Sequence, residues 1–245
     1  MARLKLLGVV LLVLLSIPRV QGATEVTMGM VLFPPYVTID EKTKECVGDI
    51  ITVSRELLLK YDIKFRVICA SPLRIYRMIE NAEIDFTVNI KSTEALTKHV
   101  LFSDIPYRNI RLNLYTHNEP NHRKTISAVR GFDYQGYRQK FNEEGFEFID
   151  LPNTISAIQV FMKGRSDYML SYEAPVQEYI LTNNIIVKST DTITPLLEIG
   201  TYYAVAKHSQ HLDDLLQAFS DYAVKHRAQY FFSAWQQENV DKETE

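Results

Sequence analysis

Val26, Met28, Met30 and Leu32 alternate with Thr27, Gly29 and Val31, and this two-residue period predicts a β-strand. Phe33-Pro34-Pro35-Tyr36 ends it, because proline brings no N–H to a sheet ladder. Ile50, Val53, Leu57 and Leu58 then recur at helical spacing. Ile63, Phe65, Val67 and Cys69 alternate again as a strand. Leu73 to Asn81 reads as a helix with Ile75, Met78 and Ile79 on one face. Ile84 to Ile90 is a third, short apolar strand, followed by a Ser/Thr-rich turn and a short polar helix. Strands alternating with helices in this order predict parallel strands joined by helical crossovers.

A second block with the same plan begins near Thr125. Ile126 to Val129 predicts a strand ended by Arg130-Gly131, and Tyr134 to Phe141 a helix. Phe146 to Leu151 predicts the next strand. Asn153 is placed to cap a helix with Ile155, Ile158, Phe161 and Met162 inward, closed by Gly164. Asp167 to Tyr172 reads as a strand, Ala174 to Leu181 as a helix, and Ile185 to Lys188 as one more strand. Tyr202 to Ala206 is a strand pattern. A long amphipathic stretch closes the chain, marked by Leu212, Leu215, Leu216, Phe219, Tyr222 and Ala223 and continued by Phe231, Phe232 and Trp235.

The N-terminus changes the picture. Arg3 and Lys5 precede an apolar run from Leu6 to Ile17, and Val20 and Gly22 are the small residues expected before a cleavage point at Ala23. The run is shorter than the roughly 17–25 residues of a spanning helix. Residues 1–22 are therefore expected to be a cleavable secretory signal, and the mature chain a soluble exported protein. The formal charge of −3 drops to about −6 once Arg3, Lys5 and Arg19 are gone. A mildly acidic chain without Lys/Arg clusters is a poor binder of nucleic acid or anionic membranes. Cys46 and Cys69 are the only cysteines, and in an exported chain they invite a disulfide, two separate thiols being the alternative.

Catalytic and metal motifs are missing from the sequence. The histidines, His99, His117, His122, His208, His211 and His226, form no zinc-type spacing. There is no nucleophile elbow, phosphate loop or dinucleotide fingerprint. No cofactor, metal ligand or catalytic residue is expected.

Several spaced landmarks carry a resemblance. They are Pro34-Pro35-Tyr36, Gly48, Glu83-Ile84-Asp85, Thr93, Phe102-Ser103 with Pro106-Tyr107, Gly131, Gly164-Arg165-Ser166-Asp167, Pro175 and the final aromatic helix. In this order the chain from 25 to 237 resembles the extracellular solute-binding proteins of family 3, the polar amino acid type that serves ABC transporters. The resemblance implies a periplasmic, monomeric, two-lobed clamp of the type II periplasmic-binding-protein fold. Each lobe would be a mixed, mostly parallel sheet flanked by helices, with two hinge strands near 109–116 and 201–206. It places lobe 1 at 23–114 plus 203–245 and lobe 2 at 115–202. It further implies a small-molecule ligand and, as partner, an inner-membrane permease or a sensor protein.

In such a clamp the ligand lies beyond the carboxyl ends of the strands, between the lobes. That rule selects Tyr36, Asn89 and Lys91 from lobe 1, and Phe132, Asp133, Tyr172 and Glu173 from lobe 2. Asp133 serves either a ligand ammonium or the cap of the helix near Tyr134, and Glu173 is either an anchor or a general acid. The family's usual carboxylate-clamping Arg falls at Leu96 here. Lys91 and Arg74 are the nearest replacements by position. Two other functions follow from the same resemblance. One is a periplasmic dehydratase of prephenate-like substrates, with Glu173 as its acid. The other is a sensing module that hands its bound state to a membrane receptor.

Overall fold

The computed structural model describes residues 24–117, 123–185 and 192–243. The expected signal segment and nearly all of the expected strand Ile185–Lys188 lie outside these residues. In chain order the first elements are β1 (Thr24–Val31), a hairpin of β2 (Thr38–Ile39) and β3 (Cys46–Val47), α1 (Asp49–Leu59), β4 (Ile63–Ala70), α2 (Pro72–Glu80) and β5 (Phe86–Ile90). Then come α3 (Glu94–Thr97), β6 (Val100–Phe102), β7 (Arg108–Thr116), β8 (Thr125–Val129), α4 (Tyr137–Glu143), β9 (Glu147–Leu151) and α5 (Thr154–Met162). The chain ends in β10 (Tyr168–Tyr172), α6 (Glu173–Thr182), β11 (Thr192–Ala206), α7 (Leu212–Lys225) and α8 (Phe231–Glu243).

Eight of these strands lie side by side in the order β4-β1-β5-β11-β7-β10-β8-β9, and β6 pairs with β11. β4, β1 and β5 are mutually parallel, as are β10, β8 and β9. Between these two parallel sets run β11 and β7, antiparallel to each other and to their neighbours. Helical crossovers give each set its parallel sense, and helices cover both faces. One half packs α1, α7 and α8 on one face, around Phe86, Tyr203, Phe219 and Phe231. Its other face packs Ile75, Tyr76 and Ile79 of α2 with Leu96 of α3. The second half has one core around Ile126, Phe141 and Leu170 and another around Ile158, Phe161 and Met169. The two-lobed mixed α/β architecture is thus present.

Asp85 explains the Glu-Ile-Asp landmark. Its Oδ2 accepts from the Thr27 N–H at 2.7 Å, and its Oδ1 accepts from the Ser209 hydroxyl at 2.6 Å. One carboxylate therefore ties β1, the entry to β5 and the turn after β11 together. Cys46 and Cys69 are joined by a disulfide, with Cα atoms 6.1 Å apart, which ties the β2–β3 hairpin to β4.

Two elements differ from the sequence expectation. The strand expected over Tyr202–Ala206 is the end of a 15-residue strand beginning at Thr192. Pro195 and Gly200 hide it, and pairing along β7 overrides them, with a register shift between Pro195 and Leu197. The helix expected from Tyr134 starts at Tyr137, because Tyr134, Gln135 and Gly136 all take positive φ. Burial of the Tyr134 ring, whose hydroxyl oxygen accepts from the Val129 N–H at 2.8 Å, holds that turn. Asp133 therefore caps no helix; its Oδ1 accepts from Gln135 N–H at 3.3 Å within the turn. The closing amphipathic stretch is two helices, separated by a turn in which Arg227 adopts φ 47°.

Candidate functional site

A cleft of about 220 Å³ lies between the two halves of the sheet. It is lined by residues that follow the carboxyl ends of β1, β5, β8 and β10, the positions the strand-end rule selects.

From the first half, the turn after β1 brings Phe33 and Tyr36. Phe33 and Val37 exchange backbone hydrogen bonds at 2.9 and 3.0 Å, which close this turn. Gly48, with φ 142°, lets the turn sit on the start of α1, where a Cβ would collide with the Tyr36 carbonyl. At the end of β5, Asn89 is oriented from both sides: its Oδ1 accepts from the Ile90 N–H and the Thr93 hydroxyl, each at 2.9 Å. Tyr76 of α2 also faces the cleft.

From the second half, the turn after β8 supplies Gly131, Phe132 and Asp133, and the end of β10 supplies Tyr172. The rings of Phe33 and Tyr172 meet across the cleft, their centroids 5.5 Å apart. Phe33 continues to Tyr36 at 6.0 Å, and Tyr172 to Phe132 at 6.2 Å, so four rings form one aromatic wall. The halves also touch at the rim, where the Ser92 hydroxyl bonds the Gln135 side chain and Gly131 lies against Pro72 and Leu73.

Burial pushes the Tyr76 phenol up to about 12, partly offset by its hydrogen bond to Asn89 and added to by Asp133. Burial also raises Tyr172 well above the ordinary phenol range, reinforced by Tyr134, Tyr76 and Asp133. Both phenols are therefore neutral hydrogen-bonding groups at neutral pH.

Of the residues named from the sequence, Tyr36, Asn89, Phe132, Asp133 and Tyr172 are brought together in the cleft. Lys91, Arg74 and Glu173 are not among its lining residues. The Lys91 ammonium lies 4.1 Å above the ring of Tyr202. Arg74 lines a separate surface groove with Arg77 and Glu83. Glu173 Oε2 is 3.2 Å from Arg111 Nη1, and Arg111 reaches Glu198 at 3.6 Å on its other side. Leu96, at the expected Arg position, is fully buried against α2.

Arg108, by contrast, lines the cleft and was not singled out from the sequence. Its signal was the alternation Arg108, Ile110, Leu112, Leu114, which puts one cation at the head of an otherwise apolar strand face. The guanidinium lies 3.9 Å from the Tyr36 ring and 3.7 Å from that of Phe232. Its Nη2 donates to Asp49 Oδ2 at 2.7 Å. Asp49 is raised above its usual range by burial, an effect that Arg108 opposes. Among the described residues, no group of three or more His, Cys, Asp or Glu could hold a metal.

A scan against protein-family models and a search of curated proteins both find no match. Solved structures do resemble this one. A histidine kinase sensor domain similar to periplasmic binding proteins has a TM-score of 0.71 at 16% identity, covering 92% of this chain and 97% of that one. An ancestral arginine-binding protein bound to arginine has a TM-score of 0.69 at 17% identity, covering 89% and 99%. The substrate-binding protein of an amino acid ABC transporter has a TM-score of 0.67 at 18% identity, covering 87% and 98%. At these identities the likeness establishes the two-lobed periplasmic-binding-protein fold.

Proposed function

We propose that this chain is an exported, periplasmic solute-binding protein that captures a small polar or aromatic solute, amino-acid-like in size, by hinge closure. Lobe 1 comprises residues 23–114 and 203–245, and lobe 2 residues 115–202. The mature protein, freed of residues 1–22, works as a monomer. It delivers its bound state to a membrane protein, an ABC-type permease or a sensor.

The observation that carries this reading is the shared cleft, whose lining comes from both sides of the β7–β11 ribbon. A ligand that touches both lobes favours the closed arrangement by its differential contacts. Tyr36, Asn89, Phe132, Asp133 and Tyr172 are the proposed ligand contacts, joined by Tyr76 and Arg108. At about 220 Å³ the cleft is below the roughly 300–1,000 Å³ of drug-sized sites, which favours a small metabolite. The ion pair of Glu173 with Arg111, outside the cleft lining, argues against Glu173 as the acid of a dehydratase. The proposal is binding without turnover.

The test is a thermal-shift screen of the mature protein against amino acids, amines, organic acids and aromatic metabolites, followed by small-angle scattering. A solute at 100 times its dissociation constant adds roughly 2.7 kcal/mol. Stabilisation with a smaller radius of gyration supports capture by closure. Stabilisation without compaction, or no stabilisation by any class, overturns it.

A further inference from the structure

We infer that the cleft selects an organic amine without a carboxylate: an ammonium group held at Asp133, with its apolar or aromatic body along the Phe33–Tyr36 side of the wall. This rests on the solute-binding reading and narrows its ligand class.

The argument is a charge balance. Among the described residues, Arg108 is the only Lys or Arg lining the cleft; its Nη2 is paired with Asp49, while its buried Nε has no hydrogen-bond partner. Its charge is matched by Asp49 at 2.7 Å, and aromatic rings lie 3.9 and 3.7 Å from its guanidinium carbon. A ligand carboxylate would be a second anion on one guanidinium. It would also enter a cleft that holds Asp133 and Glu94. The other cations sit elsewhere: Lys91 over Tyr202, and Arg74 in its own groove. Leu96 occupies its site with buried methyl groups. Desolvating a carboxylate without a dedicated cation costs more than such a cleft returns.

Asp133 has the opposite character. It is partly buried, it lines the cleft, and among the described residues the one hydrogen bond to its carboxylate is a long contact, 3.3 Å from Gln135 N–H. No Lys or Arg among the described residues forms an ion pair with it. Tyr172 and Phe132 stand beside it, and aromatic faces next to a carboxylate attract an ammonium by cation–π as well as Coulomb attraction. Among the described residues, the cleft therefore offers a ligand an anion without an ion-pair partner, aromatic faces and neutral phenols, and only one cation, whose charge is already matched by Asp49.

The experiment is calorimetric titration of the mature protein with decarboxylated pairs: phenethylamine against phenylalanine, tyramine against tyrosine, agmatine against arginine. At least one amine should bind tenfold or more tightly than its parent amino acid. Asp133→Asn should weaken that amine tenfold or more, while its melting temperature, read in the same samples, stays unchanged because the amide can still accept from Gln135. Parents that bind as tightly as their amines, or an Asp133→Asn protein with undiminished amine affinity, overturn the amine inference and leave solute capture standing. The same holds if the broad screen finds only solutes without an amine. Silence from every solute class overturns both.

Discussion

Arg108 Nη2 donates to Asp49 Oδ2 at 2.7 Å, which ties the first residue of β7 to the first residue of α1 beneath the cleft. The pair retains little solvent, with side chains 12% and 28% exposed. Removing one partner strands the other charge, which is more costly than the pair itself is favourable. Arg108→Met should therefore destabilise the protein by roughly 2–3 kcal/mol, below the roughly 3–5 kcal/mol of fully buried pairs because some solvent remains. A chain of this size should then melt about 4–12 °C lower. Adding Asp49→Asn should recover part of the loss. A calorimetric scan showing no change for Arg108→Met would refute the account.

Gly131 sets how closely the halves approach. It has φ +87°, and a Cβ there would lie 2.9 Å from Leu73 Cγ and Cδ2. Gly131→Ala should prop the rim open and also strain the turn. Solute affinity should fall by about tenfold, a loss of roughly 1.4 kcal/mol. The double variant with Leu73→Ala should recover a measurable part of it. Titration of the wild type and both variants with one solute checks this; no recovery in the double variant would assign the loss to strain alone.

The Cys46–Cys69 bridge closes a loop with a sequence separation of 23. Chain-entropy arguments put its stabilisation at roughly 3 kcal/mol. The Cys46→Ala, Cys69→Ala protein should lose that much unfolding free energy, read as a lower urea midpoint. Because the bridge holds the hairpin that follows Tyr36, solute affinity should fall as well. Urea titrations with and without reductant on the wild type provide an independent reading.

Buried tyrosines make the fold sensitive to alkali. Tyr76 and Tyr115 are both pushed up to about 12 from an ordinary value of 10.0, chiefly by burial. A raised native value means that the unfolded chain releases the proton first. The stability contribution is complete below pH 10 and lost progressively between about 10 and 12. Urea midpoints should hold from pH 8 to 9 and fall at pH 11. Tyr76→Phe should soften that fall. A flat midpoint up to pH 11 would count against this burial.

Legibility of the fold followed burial. β4 showed its alternation because one face of its first half is core and the other exposed, β1 because its core side chains alternate with the small Thr27 and Gly29 although both its faces are buried, and β5 was readable as a short apolar run. Asn153 announced α5 correctly, and its side chain accepts from the Ser156 N–H. β11 was only one-third legible because pairing along β7, rather than its own residues, holds Pro195 and Gly200 in an extended strand. The turn at Tyr134 was misread because its positive φ values are held by one buried ring that no local pattern reveals. At the cleft, the strand-end rule found Tyr36, Asn89, Phe132, Asp133 and Tyr172. It could not separate cations by direction: Lys91 follows β5 yet turns to Tyr202, whereas Arg108 enters from the start of a strand. Phe232 was legible only as part of an apolar face, since its role depends on the docking of α8.

Among the described residues, the chain passes between the two halves only along β7 and β11. Two antiparallel strands make a narrow ribbon, and narrow ribbons take up twist more readily than wide sheets do. Their hydrogen bonds run across the ribbon axis, so a change of twist reorients the ladder without breaking it. In the proposed closure this connection takes the part of a soft torsion spring. Its rest angle is then biased by small forces at the rim, among them the approach of Gly131 to Leu73. On that reading a residue at the rim tunes apparent affinity as effectively as one that touches the solute.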